Sequence, residues 1–298
     1  MSTFTRKRGT LGAVVAGAFA ATLLLGSLTP ASAAPAAAPA AHLAPNQILT
    51  PADAAAAGRT PQLDWLGSQV AKHEPHGNPA TSQYEVFSPA ATVPGLDVSA
   101  YQGSVNWTTV KNNGAKFAYV KATEGTYYQS PDFAQQYNGS YNVGIIRGSY
   151  HFATPNTTSG ATQADYFVAH GGGWSKDGKT LPGMLDIEWN PYGATCYGLS
   201  AAGMVNWILS FSNEYHAKTS RWPVIYTATS WWSECTGSQG DFSSTNPLAL
   251  ANYNGSPGPM PYHWGYQTIW QFADSGTFPG DQDQFNGDIT RVQALANG

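Results

Sequence analysis

Charged side chains are scarce in this chain, and it has no basic excess. Lys, Arg, Asp and Glu together make up 11% of its 298 residues, and the formal net charge is −4. Proteins that bind nucleic acids usually carry a basic patch or stripe. The composition therefore predicts that nucleic acid is not a partner.

Metal-binding motifs are also missing. The seven histidines form no HExxH or similar cluster, and there are only two cysteines. A zinc site needs three or four ligands at characteristic spacing. We therefore expect neither a metal nor another cofactor, which argues against a zinc peptidase or amidase.

Long apolar runs are absent except at the N-terminus. Arg6, Lys7 and Arg8 precede an apolar run from Leu11 to Leu28, and the small residues Ala31-Ser32-Ala33 follow. This order is typical of a cleaved signal peptide over residues 1–33 rather than a membrane anchor. We expect a secreted, extracellular protein that has no membrane association after signal removal.

The region between the signal and the folded domain divides into two parts. Residues 34–58 are dominated by Ala and Pro, which predicts a linker or pro-segment that is partly disordered. In residues 59–92, the apolar residues Leu63, Trp65, Leu66 and Val70 favour one short amphipathic helix. This part is interpreted either as a pro-peptide or as a strap on the folded domain, and the sequence leaves both open.

Aromatic residues are plentiful where charge is not. The chain has 10 Trp and 16 Tyr, and aromatics reach 13%. Exposed aromatic faces pack well against uncharged sugar rings, although any single Trp is more often a core residue. The composition is compatible with an exported carbohydrate-binding domain.

Residues 93–298 form the predicted folded domain, in which strand patterns alternate with helix patterns. The strand candidates are Gly95–Ser99, Phe117–Ala122, Gly144–Phe152, Gly183–Glu188, Val224–Tyr226, Leu248–Asn252 and Thr268–Phe272. Repeated strand–helix units predict a parallel sheet, either open or closed into a barrel. The helical signal fades after the fifth strand, which favours a barrel whose later units have lost their helices.

Two helices have clear signals. Ser130-Pro131 reads as an N-cap followed by Pro at the first helical position, with Phe133 and Tyr137 on one face. Ser200 can cap a second helix. The apolar stripe of that helix comprises Met204, Trp207, Ile208, Phe211 and Tyr215.

The strongest chemical signal is the segment Met184–Trp189. On a strand, residues two apart point the same way, so Asp186 and Glu188 share a face while Ile187 packs on the other. Burying two carboxylates is costly unless they are paired or used. Each also disfavours ionisation of the other, which is what a general acid in glycoside cleavage requires. A surface Asp-x-Glu in a loop is the simpler alternative.

Other acids occupy similar positions. Asp97 lies late in the first strand, and Asp281 is expected in the segment after the last strand. Either alone is more often a turn or capping residue. The carboxyl ends of barrel strands converge on one face, where active sites lie, so acids from the first, fourth and last units are expected to meet there.

An ordered series of motifs from Pro94 to the C-terminus resembles glycoside hydrolase family 25, the Chalaropsis-type lysozymes. The motifs are Gly95–Ser99 with Tyr101-Gln102-Gly103 and Trp107, Phe117–Gly125, Gly148–Phe152, Leu185–Glu188, Val224–Thr227, Ile269–Phe272 and Asp281–Gly287. The resemblance implies an α/β fold: a TIM-like eight-stranded barrel with several helices missing, of (β/α)5(β)3 type.

The resemblance also implies an N-acetylmuramidase that cuts the β-1,4 bond between N-acetylmuramic acid and N-acetylglucosamine. Its substrate would be the glycan strands of bacterial peptidoglycan, and we expect it to act as a monomer. By motif, Glu188 is the proton donor and Asp186 its partner. Asp97 and Asp281 are the other acids, with Asp283 and Asp288 as alternatives to Asp281.

Further sugar contacts are carried over in the same way. Tyr150 and Tyr226 match positions that line the sugar site, and Lys121 and Trp270 are additional candidates. The chain departs from the family at Leu250–Tyr253, where relatives often have a bulkier strand with Trp.

The two cysteines are expected to form a disulfide outside the cytoplasm. Cys196 follows the fourth strand candidate and Cys235 the fifth. Loops after neighbouring strands lie side by side, so a bridge there would tether the rim of the cleft.

Three other interpretations compete with a muramidase. A non-catalytic sugar-binding module would not need Glu188 and Asp186, and a purely structural wall protein would not need the acid series. A chitinase-like enzyme would carry a longer acidic series ending in Glu, which is absent. Two mechanisms also stay open: attack by the substrate's own N-acetyl oxygen with retention, or activation of water by a carboxylate such as Asp281 with inversion.

Overall fold

The computed structural model describes residues 50–74 and 91–298. The predicted signal peptide over residues 1–33 lies outside the described residues, as does most of the Ala/Pro-rich part of residues 34–58.

Residues 50–74, called the strap below, lie against the barrel. The strap contains helix α1 (Pro51–Ala56), a 3₁₀ turn (Pro61–Leu63) and helix α2 (Val70–His73). The prediction of one amphipathic helix from Leu63 to Val70 is wrong, because Gly67 has a φ of +86° and breaks the helical path. Leu66 and Val70 are nevertheless buried in the same apolar cluster as the barrel core.

The domain that follows contains strands, helices and one short hairpin. In chain order, its elements are β1 (Thr92–Val98), α3 (Trp107–Asn112), β2 (Phe117–Glu124), β3 (Tyr128–Gln129), α4 (Phe133–Asn142), β4 (Ile146–Phe152), α5 (Gly160–Phe167), β5 (Met184–Asp186), α6 (Ala201–Thr219), β6 (Val224–Thr227), α7 (Thr229–Thr236), β7 (Leu248–Ala251), β8 (Ile269–Ala273), β9 (Asp281–Asn286) and α8 (Ile289–Asn297).

Eight of these strands close into a barrel. Strands β1, β2, β4, β5, β6, β7 and β8 are paired in parallel, in that order, and β9 closes the ring by pairing antiparallel with both β8 and β1. Strand β3 only forms a hairpin with β2. Each of the first five barrel strands is followed by a helix, and the last three are not separated by helices. The expected (β/α)5(β)3 barrel is confirmed.

One strand has no clear signal in the sequence. Asp281 is expected in a segment after the last strand, but it begins β9, where it lies opposite Asp97 of β1. The sequence Asp281–Asn286 has five polar residues and two of them are acidic, so it lacks the apolar alternation of a typical strand. It forms a strand because it fills the remaining gap in the barrel.

The helices agree with their sequence signals except at one boundary. The Ser200 side chain accepts a hydrogen bond from the Gly203 N–H and caps α6, and its predicted apolar stripe is buried. Helix α4 begins at Phe133 with Asp132 as its N-cap, later than the Ser130-Pro131 signal predicts. The Phe133 and Tyr137 rings stack at 4.9 Å, as their shared face requires.

Candidate active site

Glu188 and Asp186 come from β5 and the residues just after it. Asp186 is paired in register with Phe152 of β4 and Tyr226 of β6, at the carboxyl ends of these parallel strands. Ile187 lies between the acids and is buried in the apolar core. The Glu188 charge helps to raise the pKa of Asp186, and the charges of both acids help to raise the pKa of the Tyr226 hydroxyl. The two carboxyl groups therefore occupy the same barrel mouth.

Asp97 and Asp281 approach this mouth from the opposite side of the ring. They are register partners on β1 and β9. The side-chain amide of Gln271, on β8, joins them: its Nε2 donates to Asp97 Oδ2 at 2.8 Å and to Asp281 Oδ2 at 3.1 Å. The Asp97 charge raises the pKa of Asp186, which links the two halves of the cluster. The structure thus brings together all four acids expected to meet.

Burial dominates the electrostatics of the cluster. It raises the pKa of Glu188 to about 8, against two opposing hydrogen bonds from the N–H groups of Gly67 and Gln69. Burial also raises the pKa of Asp97 to about 8. For Asp186 and Asp281, burial first and neighbouring carboxylates second raise the pKa well above the usual range. Glu188 and Asp97 are therefore mostly protonated at neutral pH.

Asp186 is unusual because neither of its carboxyl oxygens has a hydrogen-bond partner within the described residues. Its side chain is nevertheless only 1% exposed. A buried polar group without a partner is destabilising, and such groups are uncommon in folded proteins. The Asp186 carboxyl group is thus buried at the mouth without a hydrogen bond from the described residues.

The predicted sugar contacts are divided by the structure. Tyr150 and Tyr226 are fully buried at the mouth; the Tyr226 hydroxyl donates to Gln271 Oε1 at 2.6 Å. Lys121 Nζ forms an ion pair with Glu124 Oε2 at 2.8 Å. Trp270 alternates with Gln271 on β8 and thus lies on the opposite face, where its indole N–H donates to the Asn252 carbonyl. Trp270 is placed outside the cluster.

Gln271 is a site residue that the sequence patterns do not single out. Besides its bonds to two acids, its Oε1 accepts hydrogen bonds from Tyr226 and from Tyr253 at 2.8 Å. Tyr253 follows β7, in the segment that departs from the family pattern. Because side chains alternate along a strand, the sequence predicts that Gln271 and Trp270 face opposite sides of β8. Only the strand register shows which of the two faces inward.

The two alternatives to Asp281 occupy different places. Asp283 is buried two residue pairs further along β9, opposite Gly95 rather than Asp97. Asp288 caps α8 by accepting hydrogen bonds from the Thr290 and Arg291 N–H groups. The geometry therefore groups Asp281 with Asp97 at the mouth.

The rim of the mouth is tethered by the predicted disulfide. Cys196, in the loop after β5, is bonded to Cys235 in α7, with their Cα atoms 5.2 Å apart. Within residues 50–74 and 91–298, no group of three His, Cys, Asp or Glu side chains is arranged to hold a metal ion. No helix in this described part is long and apolar enough to cross a membrane.

The strap covers the acids. The Gly67 N–H donates to Glu188 Oε1 at 3.0 Å, and the Gln69 N–H donates to Glu188 Oε2 at 3.3 Å. Gln271 Nε2 also donates to the Leu66 carbonyl at 3.0 Å. All four acids are at most 2% exposed as a result of this cover and the surrounding barrel.

Comparison with known proteins gives this site a family. Residues 96–281 match the model of glycosyl hydrolases family 25. The chain is 54% identical to the N,O-diacetylmuramidase of Chalaropsis sp over 211 residues, which are 70% of this chain and 100% of that protein. It is 45% identical to Lysozyme M1 of Streptomyces globisporus over 284 residues, 93% of this chain and 94% of that one.

The solved structures agree. A family GH25 lysozyme from Aspergillus fumigatus is 52% identical and superposes with a TM-score of 0.69, over 70% of this chain and 100% of that chain. The residues matched by the family model run from β1 to the first residue of β9 and include Asp97, Asp186, Glu188 and Asp281. This chain therefore belongs to glycosyl hydrolases family 25 and is a glycoside hydrolase of the lysozyme type.

Proposed function

We propose that this protein is an exported lysozyme that cuts the β-1,4 bond between N-acetylmuramic acid and N-acetylglucosamine in bacterial peptidoglycan. Membership of family 25 and the names of its muramidase and lysozyme relatives support the substrate class. The observation that carries the proposal is the gathering of four carboxyl groups from β1, β5 and β9 at one barrel mouth. The protein acts on glycan strands outside the cell, as a monomer.

Glu188 is the proposed proton donor. A general acid must be protonated at the working pH and must give up its proton as the bond to the leaving group breaks. With residues 50–74 in place, burial raises the pKa of Glu188 to about 8, so the covered side chain is protonated at neutral pH. Its proton passes to the glycosidic oxygen while positive charge develops on the anomeric carbon.

Asp186 is the proposed partner in the same step. The substrate's N-acetyl oxygen attacks the anomeric carbon as the glycosidic bond breaks, and Asp186 accepts a hydrogen bond from the acetamido N–H. Water then opens the resulting oxazolinium ring, and the Glu188 carboxylate takes the water's proton. The position of both acids on one strand end, and the lack of a protein partner for Asp186 among the described residues, favour this route.

The competing route uses water activated by a carboxylate across the cleft, such as Asp281. The two routes give opposite anomers, because substrate assistance retains configuration and direct attack by water inverts it. Proton NMR of the first-formed product distinguishes them. We expect the β-anomer first; the α-anomer would exclude the assisted route.

The role of Glu188 is tested with Glu188→Gln, which keeps the side-chain shape but cannot donate a carboxyl proton. Because the strap covers the site, the assay uses the full chain carrying a specific protease site after Glu74, cut and diluted before use. Clearing of a peptidoglycan suspension should fall by about 10²–10⁴-fold. The control, Glu234→Gln, alters a Glu on α7 that lies outside the acid cluster and should leave clearing unchanged.

Retained clearing by Glu188→Gln would remove Glu188 from its proposed role. Substrate class is tested separately by incubating the cut chain with peptidoglycan and chitin side by side. New reducing ends on N-acetylmuramic acid would support the muramidase proposal. Release of sugars from chitin alone would favour the chitinase-like alternative.

A further inference from the structure

The strap does more than touch the barrel, because it contacts the groups proposed to do the chemistry. Both Glu188 oxygens accept backbone hydrogen bonds from it, at 3.0 and 3.3 Å. The Leu66 N–H donates to the Tyr150 hydroxyl at 3.1 Å. Lys121 Nζ donates to the Pro61 carbonyl at 2.8 Å. The strap therefore occupies the space directly above the acids.

These contacts are incompatible with a bound glycan strand. A general acid must come within hydrogen-bond distance of the oxygen it protonates. Both oxygens of Glu188 are already engaged by N–H donors of the strap, and such donors favour the carboxylate over the protonated form. The strap thus blocks access to both oxygens of Glu188.

Aromatic groups around the mouth are covered as well. Trp65 packs on Tyr101 with ring centroids 4.4 Å apart, and His73 stacks on Trp189 at 4.8 Å with an interplanar angle of 2°. The Arg59 guanidinium lies over the Tyr192 ring, 4.6 Å from its centroid. Exposed aromatic faces of this kind suit sugar rings. The strap therefore contacts three aromatic rings of the barrel domain in addition to Glu188.

The fit depends on a glycine. Gly67 has a φ of +86°, and a Cβ built there would lie 2.5 Å from Gln271 Oε1, 2.6 Å from the Tyr253 hydroxyl and 2.7 Å from the Tyr226 hydroxyl. These distances are too short for any side chain. Gly58, also in the strap, has a similar φ of +72° but nothing within 4 Å of its built Cβ. A glycine is thus required at position 67 for two reasons: its positive φ and the close approach of the Gln271, Tyr253 and Tyr226 side chains.

The comparisons separate the strap from the barrel. The Chalaropsis muramidase is matched over its whole length by 70% of this chain. The alignment with Lysozyme M1 covers 93% of this chain and therefore extends well beyond the barrel into the N-terminal residues. The family model matches residues 96–281 and leaves out the strap, which indicates that the strap serves a purpose other than catalysis.

We propose that residues 50–74 are an autoinhibitory segment that holds the enzyme latent until proteolysis separates it from the barrel. This inference rests on the proposed function of the acid cluster. The covalent connection gives the strap a high effective concentration at the mouth, on the order of millimolar. Once the connecting chain is hydrolysed, dilution releases the strap and opens the cleft to peptidoglycan.

The test uses the full chain with a specific protease site inserted after Glu74. Clearing of a peptidoglycan suspension is measured before and after the cut, at nanomolar enzyme. A strap that binds with a Kd of about 0.1 mM would be released on cutting and would raise the rate about ten-fold, given a millimolar effective concentration. Equal rates before and after the cut, with the strap shown to have dissociated, would overturn the proposal.

Synthetic peptides keep the test independent of folding. A peptide of residues 50–74 should inhibit the cut enzyme. The same peptide with Gly67→Ala should inhibit at least about ten-fold more weakly, since two or three buried contacts must be displaced. The matched Gly58→Ala peptide carries the backbone penalty at positive φ without a clash, so it should inhibit more strongly than the Gly67→Ala peptide. Equal inhibition by both variants would contradict the geometry argued from Gly67.

Calorimetric titration of the original peptide into the cut chain distinguishes a failure of the proposed function from a failure of the autoinhibition proposal. Peptide binding to a chain that does not hydrolyse peptidoglycan would overturn the proposed function, and autoinhibition with it. Hydrolysis that continues at full rate with the peptide bound would overturn autoinhibition alone.

Discussion

The disulfide at the rim of the mouth allows a quantitative prediction. Cys196 and Cys235 are separated by 39 residues, and their bond links the loop after β5 to α7. In the chain-entropy treatment, closing a loop of this length lowers the entropy of the unfolded chain by about 13 cal/mol/K, or about 4 kcal/mol at 25 °C. Removing the bond should therefore lower the free energy of unfolding by about 4 kcal/mol.

The assay is urea unfolding of three variants: Cys196→Ala, Cys235→Ala and the double variant. Each loses the same covalent bond, so all three should lose about the same free energy, and wild-type protein under full reduction should match them. The melting temperature should fall by about 8–16 °C, as expected for a domain of about 200 residues. A loss below about 1 kcal/mol, or losses that add from the single variants to the double one, would refute the reasoning.

Two further predictions concern the buried polar groups. Gln271→Leu should lower clearing by the cut enzyme about ten-fold or more, because it removes the amide that joins two of the acids. Gln163→Leu removes an equally buried amide, which lies on α5 and is hydrogen-bonded to His151 and Thr154. This variant should lower stability without the ten-fold loss of clearing. If the folded Gln271→Leu and Gln163→Leu variants lost the same fraction of clearing activity, the proposed role of Gln271 would be contradicted. The free energy of unfolding should fall as pH rises from 6.5 to 8. Folded Asp97 and Glu188, with pKa values of about 8, retain protons that the unfolded chain has released, and each contributes up to about 1.4 kcal/mol per pH unit. The contribution of these two protonated groups to the free energy of unfolding is fully present below their ordinary pKa values of 3.8 and 4.5. It is lost as the pH rises through about 8. Below pH 6.5 buried His151, whose pKa is lowered to about 3, opposes this trend, because it stays neutral in the folded protein while the unfolded chain takes up a proton. The test is therefore a series of thermal melts across pH 6.5–8. A melting temperature that rises over this range would contradict the prediction.

Much of the catalytic core follows from local sequence patterns. Residues two apart on a strand share a face, and this periodicity alone places Asp186 and Glu188 together. The parallel arrangement of strand–helix units then predicts that the carboxyl ends of β1 and β5 meet at one mouth. The position of Asp97 follows for the same reason.

Other parts of the site depend on register. Trp270 and Gln271 are adjacent, and the sequence contains nothing that selects the inward-facing residue. Likewise, Asp281–Asn286 lacks an apolar pattern and becomes a strand only because β1 and β8 each leave an edge that it can pair with.

By itself, the sequence determined the order of the motifs, the pairing of the two acids on one strand and the type of barrel, since these depend on short-range periodicity and on rules of chain connection. Only the tertiary structure decided that Gln271 joins Asp97 to Asp281 and that residues 50–74 cover Glu188. Contacts between residues more than a hundred positions apart, such as Gly67 with Glu188, depend on how separate surfaces fit, and this fit leaves no periodic signal in the chain.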